Sequence, residues 1–201
     1  MRRKYPRTPH LSWSESISED DIVSEDIVPG REVVITEKLD GENTSLYNDY
    51  IHTRSINSGK HPSRDYVTAL WGNIKDQIPP TFRICGENMY AKHSIHYTDL
   101  ESYFFVFSIW DGDLCLSWKD TVEYCKLLDL VTVPVLYEGL YDKSKLPTIN
   151  PDRQEGYVIR SSSEFMYDSF ADNIRKYVRK NHVQTDDHWL TKPVEKNLLR
   201  E

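Results

Sequence analysis

The sequence predicts an α+β domain in which antiparallel sheets are flanked by helices. Three observations lead there. Short apolar and β-branched runs recur between turn-forming clusters. Two stretches carry apolar residues at helical spacing. The strands arrive in runs broken by helices, without internal repeat or low-complexity segment, which favours segregated sheets over alternating βαβ units. A length of 201 residues suits one substantial domain with at most a short appendage.

Residues 1–30 read as an irregular N-terminal segment. Pro6, Pro9 and Pro29 interrupt it, and residues 15–26 carry six carboxylates with little periodicity, the pattern of a solvated loop. From Arg31 the character changes. Val33 and Ile35 alternate with Glu32, Val34 and Thr36, predicting a strand that runs into Glu37-Lys38-Leu39. Asp40-Gly41-Glu42-Asn43 is turn chemistry. Residues 44–47 and 50–55 read as short strands, suggesting antiparallel hairpins. Tyr66, Leu70, Ile74 and Ile78 fall four apart and predict a helix that Pro79-Pro80 stops. Residues 83–87 form a strand ending at a glycine. Residues 103–110 form an aromatic strand, and Asp111-Gly112 turns the chain into Leu114-Cys115-Leu116. A second helix is expected over 121–130, with Cys125 in its core face. Strands follow at 133–136 and 156–160. Over 168–180 the pattern supports both helix and strand without fixing where one gives way to the other.

Composition excludes several function classes. Lys and Arg total 25 against 32 for Asp and Glu, a formal charge of −7, which rules out a uniformly basic nucleic-acid coat but not a local basic site. Five Trp, 13 Tyr and 6 Phe give too much core for a disordered chain. No apolar run reaches membrane-spanning length, and Met1-Arg2-Arg3-Lys4-Tyr5-Pro6 lacks the apolar core of a signal peptide. Cys85, Cys115 and Cys125 form no CxxC pair; three reduced structural thiols in a cytoplasmic protein are expected.

Lys38 alone would read as a surface lysine paired with Glu37 or Asp40. Later segments change that reading. Arg54-Ser55 closes a strand, Gly86-Glu87 closes another, and Phe105 and Phe107 lie on the aromatic strand. Glu155-Gly156 opens a further one, and Arg175, Lys176, Arg179 and Lys180 cluster near the end. In this order the set resembles the motifs of covalent nucleotidyltransferases, the superfamily of RNA ligases, DNA ligases and capping enzymes. Lys38-Leu39-Asp40-Gly41-Glu42-Asn43 matches the nucleophile motif. Cys85-Gly86-Glu87 resembles the third motif and Phe104 to Ile109 the aromatic strand after it. Glu155-Gly156-Tyr157-Val158-Ile159 matches the fourth, and Lys176 to Lys180 resembles the fifth with altered lysine spacing. Asn43 and the opening Lys4-Tyr5-Pro6-Arg7-Thr8-Pro9 are similar to RNA ligases of the RNA ligase 2 type.

The resemblance implies an ATP-grasp-like ligase domain over 31–182, followed by a C-terminal tail over 183–201 with no OB fold or other second domain. It implies an ATP-dependent RNA ligase, a monomer that forms lysyl-AMP on Lys38 and joins RNA 5′-phosphate and 3′-hydroxyl ends, in single strands or nicked duplex. Lys38, Lys176 and Glu155 would carry catalysis. Glu87 would hold the ribose, and Glu155 would organise hydrated Mg²⁺, with Mn²⁺ as a substitute. Glu37, Leu39, Asn43, Arg54 and Phe107 would line the nucleotide, and Lys176, Arg179 and Lys180 the triphosphate. Two other readings stay open: a nucleic-acid end-binding module that does not seal, and a DNA ligase or capping-type nucleotidyltransferase.

The chemistry accounts for these residue types. A lysine attacks phosphorus only as the neutral amine, yet its ordinary pKa is about 10.4. The site must therefore favour the uncharged form, through a metal ion or a second cation such as Lys176. Adenine needs a flat apolar face, which Phe107 or Phe105 supplies, since both project from the same side of a strand. His182 and His188 with Asp186 and Asp187 read as solvated loop or RNA contacts, because no third ligand lies at a zinc-like spacing.

Overall fold

The computed structural model describes residues 2–25, 27, 30–180 and 193–201, arranged largely as two sheets. The first begins with β1 (His10–Leu11), β2 (Val23–Ser24) and β3 (Glu32–Lys38) and is completed by β10 (Val135–Leu140), β11 (Gly156–Ser161) and β13 (Ile174–Val178), in the order β10-β3-β11-β13-β1-β2. β3 is covered on both faces. Val33 and Ile35 pack with Leu11, Tyr157 and Ile159, while Val34 packs with Leu39, Met89, Phe105 and Trp118. The expected inside–outside alternation is absent because the Val-Val-Ile-Thr run is sandwiched, and a continuous apolar run is what a doubly covered strand requires.

β11 runs antiparallel to both β3 and β13, and Gly156 stands opposite Lys38 on one side and Val178 on the other. A Cβ at Gly156 would fall inside contact distance of the Tyr177 carbonyl. The glycine is thus a condition of the close strand approach that brings Glu155 to the end of β3.

The second sheet holds β4 (Glu42–Leu46), β5 (Ile51–Thr53), β6 (Phe82–Asn88), β7 (Phe104–Asp111), β8 (Leu114–Cys115) and β12 (Phe165–Met166), with β9 (Val131–Thr132) parallel to β7. β4 and β5 form the expected hairpin. β3 and β4 do not pair; they belong to different sheets, and Glu42 and Asn43, expected in a turn, open β4. The chain passes between sheets over 39–41, where a Cβ on Gly41 would lie 2.6 Å from both the Asn88 carbonyl and the Met89 sulfur.

α1 (Asp65–Ile74) and α2 (Trp118–Leu127) cover this sheet through Val67, Ile74 and Cys125 against Leu46, Ile84, Phe104 and Ile109. α2 starts earlier than expected because Ser117 caps it, its Oγ accepting from the Asp120 N–H. The strand expected at 133–136 splits at Pro134, which has no N–H to give a ladder and whose carbonyl instead accepts from the Glu37 N–H at 2.8 Å. Residues 168–180 resolve into a 3-10 turn, the one-turn α3 (Phe170–Asn173) and β13.

Residues 1–30 are more than an irregular leader. β1 pairs in parallel with both β13 and β2, so the sheets are mixed instead of purely antiparallel. At the other end, residues 193–201 fold back onto the loop after β6. The buried Asn197 amide donates to the Met89 carbonyl at 2.7 Å, and its oxygen accepts from the Tyr97 N–H at 2.9 Å. All three cysteines are buried and free. Among the described residues no helix is long and apolar enough to cross a membrane.

The packing at Gly156 predicts that Gly156→Ala destabilises the protein by about 3 kcal/mol in urea denaturation, through overpacking against backbone that cannot yield. A loss below about 0.5 kcal/mol would show that β11 and β13 can separate freely.

Candidate active site

A cavity of about 1040 Å³ opens between the two sheets. Its floor is the end of β3. Both carboxylate oxygens of Glu155 lie 2.6 Å from the Lys38 Nζ. Glu155 is 2% exposed and the Lys38 side chain 25%. The Arg179 backbone N–H donates to the Glu155 carbonyl, and the Arg179 Nε to the Gln154 carbonyl, both at 3.0 Å. Arg179 therefore clamps the peptide that carries Glu155.

The ionisation of Lys38 differs from expectation. Burial pushes its ammonium toward neutrality, but the carboxylates of Glu155, Glu87 and Asp40 outweigh burial, and its pKa is raised. The residues alone thus oppose nucleophilic attack. Glu37, expected to line the nucleotide, stands in the cavity wall, where it engages Gln154 and burial raises its pKa. Glu87 reaches in from β6; burial, reinforced by Glu155 and Asp40 and opposed by Lys38, raises its pKa to about 8. Asp40 is held by the loop after β6, its Oδ2 accepting from the Ser94 N–H, the Ser94 hydroxyl and the Ile95 N–H at 2.6–3.0 Å.

Lys176 shows the opposite shift. Burial, with Lys38 and Arg54 adding repulsion, lowers its pKa to about 8 against the pull of Asp21 and Glu155. The expected cluster of four cations is not assembled. Alternation along β13 brings Ile174 and Lys176 to the cavity wall, while Arg175 turns away, donating to the carbonyls of Glu25 and Ala171. Lys180 is exposed beyond the strand, and neither it nor Arg179 lines the cavity. Other cations do: Arg54 and Lys60 on the rim, Arg64 held by Glu42 and Lys92 held by Glu195.

The aromatic choice resolves toward Phe107. Phe105 is 4% exposed, packed with Leu39, Trp118 and Val133, whereas Phe107 stands in the cavity wall with Tyr5 edge-on at 5.0 Å. Its carbonyl accepts from the buried Arg160 guanidinium at 2.9 Å. Leu39 lines the wall, and so does Asn43, whose Oδ1 is buried with no hydrogen-bond partner among the described residues. An orphaned acceptor in a cavity wall marks a place where a ligand donor is missing. Tyr5, from the opening motif, also lines the wall, while His10 and Asp21, which sequence spacing does not announce, stand outside the lining beside Lys176; His10 arrives through a parallel pairing with a strand over 160 residues away.

Among the described residues no three His, Cys, Asp or Glu side chains form a metal-binding group. The convergence of Glu155, Glu87 and Asp40 on one ammonium nevertheless offers hard oxygen donors. That chemistry suits a largely hydrated Mg²⁺ or Mn²⁺ better than a fully protein-liganded ion. His182, Asp186, Asp187 and His188 lie outside the described residues.

The family model described as RNA ligase matches residues 31–178. The fold is similar to a putative ATP-dependent DNA ligase from Aquifex aeolicus, with TM-score 0.57 and 18% identity over 88% of this chain and 50% of that one. It is also similar to an archaeal ATP-dependent RNA ligase, with TM-score 0.57 and 15% identity over 88% of this chain and 48% of the other. A Naegleria gruberi RNA ligase mutant with ATP and Mn gives TM-score 0.50 and 18% identity over 75% of this chain and 50% of that one. The chain thus spans about half the length of these structures. No protein of curated function matches the sequence.

The pKa of Glu87 sets a pH dependence. Its folded value of about 8 lies above the ordinary 4.5, so the folded protein holds a proton the unfolded chain releases. Stability from this group is complete below about 4.5 and is lost as pH rises through about 8, at up to about 1.4 kcal/mol per pH unit. His10, lowered to about 4 chiefly by burial, gives the opposite slope between about 4 and 6.5. That slope is common to wild type and Glu87→Gln. Denaturation at a series of pH values is expected to show wild type losing stability relative to Glu87→Gln between about pH 5 and 8. A flat difference would place the Glu87 carboxyl in ordinary solvent.

Proposed function

Because the chain belongs to the RNA ligase family, we propose that it is an ATP-dependent ligase that seals RNA 5′-phosphate and 3′-hydroxyl ends through lysyl-AMP. The observation that carries the reading is the 2.6 Å contact of Lys38 with Glu155 at the floor of a nucleotide-sized cavity. Once positive charge offsets the carboxylates beside it, the Lys38 ammonium releases its proton to solvent, and the neutral amine attacks the α-phosphorus of ATP. A phosphorus–nitrogen bond forms, the α–β anhydride breaks and pyrophosphate leaves. An oxygen of the RNA 5′-phosphate then attacks the adenylyl phosphorus and returns Lys38 as an amine. Finally the 3′-hydroxyl attacks the activated 5′-phosphorus, AMP departs, and the hydroxyl proton is released.

Each residue has a role in that sequence. Phe107 offers a face to adenine and Glu87 a polar group to the ribose. Asn43 Oδ1 accepts from the adenine 6-amino group, where the 6-oxo group of guanine would face it oxygen to oxygen. Lys176 and Arg54 lie where the phosphates gather charge. Glu155 would help hold a hydrated Mg²⁺ or Mn²⁺, and that ion would supply positive charge against the negative charge beside Lys38.

The test is covalent labelling by ATP carrying a labelled α-phosphate, with Mg²⁺, in competition with GTP and NAD. Label is expected on wild type, suppressed by ATP above the others, and absent from Lys38→Ala; label persisting there would remove Lys38 as nucleophile. Glu155→Gln is expected to label about a hundredfold more slowly. The exposed Glu164 serves as control through Glu164→Gln, whereas Glu195 does not, since it stands in the cavity wall. Asn43→Ala is expected to lose about tenfold of the preference for ATP over GTP. Joining of nicked RNA against nicked DNA separates the two ligase readings. Binding of a 5′-phosphorylated duplex without any labelling would leave an end-binding module.

A further inference from the structure

The N-terminal segment builds a buried polar cluster against Lys176 that none of the nucleotidyltransferase motifs includes. β1 places His10 opposite Lys176 in parallel register, and the Lys176 N–H donates to the Pro9 carbonyl at 2.9 Å. The His10 side chain is fully buried. Its Nδ1 is 2.8 Å from the Ser14 hydroxyl, and its Nε2 lies 3.5 Å from Asp21 Oδ2. That Asp21 oxygen accepts from the Ser18 N–H at 2.9 Å and the Ser18 hydroxyl at 2.8 Å. The other oxygen, Oδ1, faces the Lys176 Nζ at 3.9 Å.

The distances assign a division of labour. Asp21 is braced on one oxygen, so the second is held in place toward the ammonium. At 3.9 Å the contact is ionic and not a hydrogen bond, so the Lys176 donors remain available to the cavity. The charged groups acting on Lys176 are Lys38, Arg54, Glu155 and Asp21, with the buried His10 beside it in the sheet. Glu155 directs both oxygens at Lys38. Asp21 is therefore the anion that answers two neighbouring cations from the Lys176 side. Its charge opposes the burial and the repulsion from Lys38 and Arg54 that lower the Lys176 pKa.

We propose that Asp21, braced by Ser18 and backed by His10, is a positioning residue for adenylyl transfer that holds the Lys176 ammonium on the phosphate side of the cavity. This rests on the reading of Lys38 and Lys176 as the groups that meet ATP. The test uses Asp21→Asn, which keeps an acceptor for Ser18 but loses the charge, and Asp21→Glu, which restores it. Single-turnover labelling at saturating ATP is expected to fall about tenfold in Asp21→Asn and to recover in part in Asp21→Glu. In a Lys176→Ala background, Asp21→Asn is expected to cost nothing further; an equal loss there would overturn the proposal. Should Asp21→Asn fail to fold, Ser18→Ala removes the brace and is expected to slow labelling in the same direction; an unchanged rate there would count against the proposal. A readout independent of ligation is the titration of the Lys176 amine by NMR of ¹⁵N-lysine protein, assigned with Lys176→Arg. Its midpoint is expected to fall in Asp21→Asn, and an unchanged midpoint overturns the proposal even if wild type takes no label, an outcome that would by itself refute only the ligase reading.

Discussion

A part-buried ammonium against a buried carboxylate, Lys38 on Glu155, is the contact on which the cavity depends. Taking both charges from water is costly, and their attraction repays the cost only when geometry is held tightly. Here the geometry is set by backbone. Gly156 lets β11 lie close to β13, its register puts Glu155 at the end of β3, and Arg179 clamps the peptide on which Glu155 sits. Removing either charge would leave the other stranded. The pair is therefore a structural constraint, and in the proposed function it is also the chemical centre.

The two-sheet arrangement explains why several carboxylates can meet one lysine. Lys38 ends a strand of one sheet, while Glu87 lies one residue from the end of a strand of the other, and the short passage over 39–41 carries Asp40. Gly41 permits that passage because Asn88 and Met89 occupy the space where a Cβ would project. A hairpin joining β3 and β4 within one sheet would have left Glu87 out of reach. Crowding negative charge around the lysine stabilises its protonated form and works against nucleophilicity. The resting site thus holds Lys38 as a cation, and chemistry requires added positive charge near those carboxylates.

Much of this was legible in the sequence, and the limits have physical causes. The helices at α1 and α2, the β4–β5 hairpin and the strand at β11 follow from local periodicity and turn chemistry, which need only a few neighbouring residues. Lys38, Glu87, Phe107, Glu155 and Lys176, singled out by spacing and resemblance, all line one cavity. Arg179 and Lys180 do not, because strand alternation and the end of β13 carry them off the cavity, a geometric consequence that a count of basic residues cannot reveal. β3 defeated its alternation reading because burial on both faces leaves no polar side to alternate with. The N-terminal strands escaped notice because two residues of parallel pairing have no sequence period at all.

That last omission matters most for the electrostatics. Two lysines share one cavity, yet their environments drive them in opposite directions: Lys38 is surrounded by carboxylates and Lys176 by cations and buried surface. Divergent ionisation of paired groups is how a single site assigns different tasks to the same residue type. With the protein's own groups alone, Lys176 is the more easily neutralised amine and Lys38 the better cation, the reverse of what the proposed phosphoryl attack demands. The asymmetry is corrected from outside each lysine. Charge brought to the carboxylates frees Lys38, while an anion held by the N-terminal segment keeps Lys176 charged. A segment that reads as solvated carboxylates in the sequence therefore supplies one of the two counterweights that the paired lysines need.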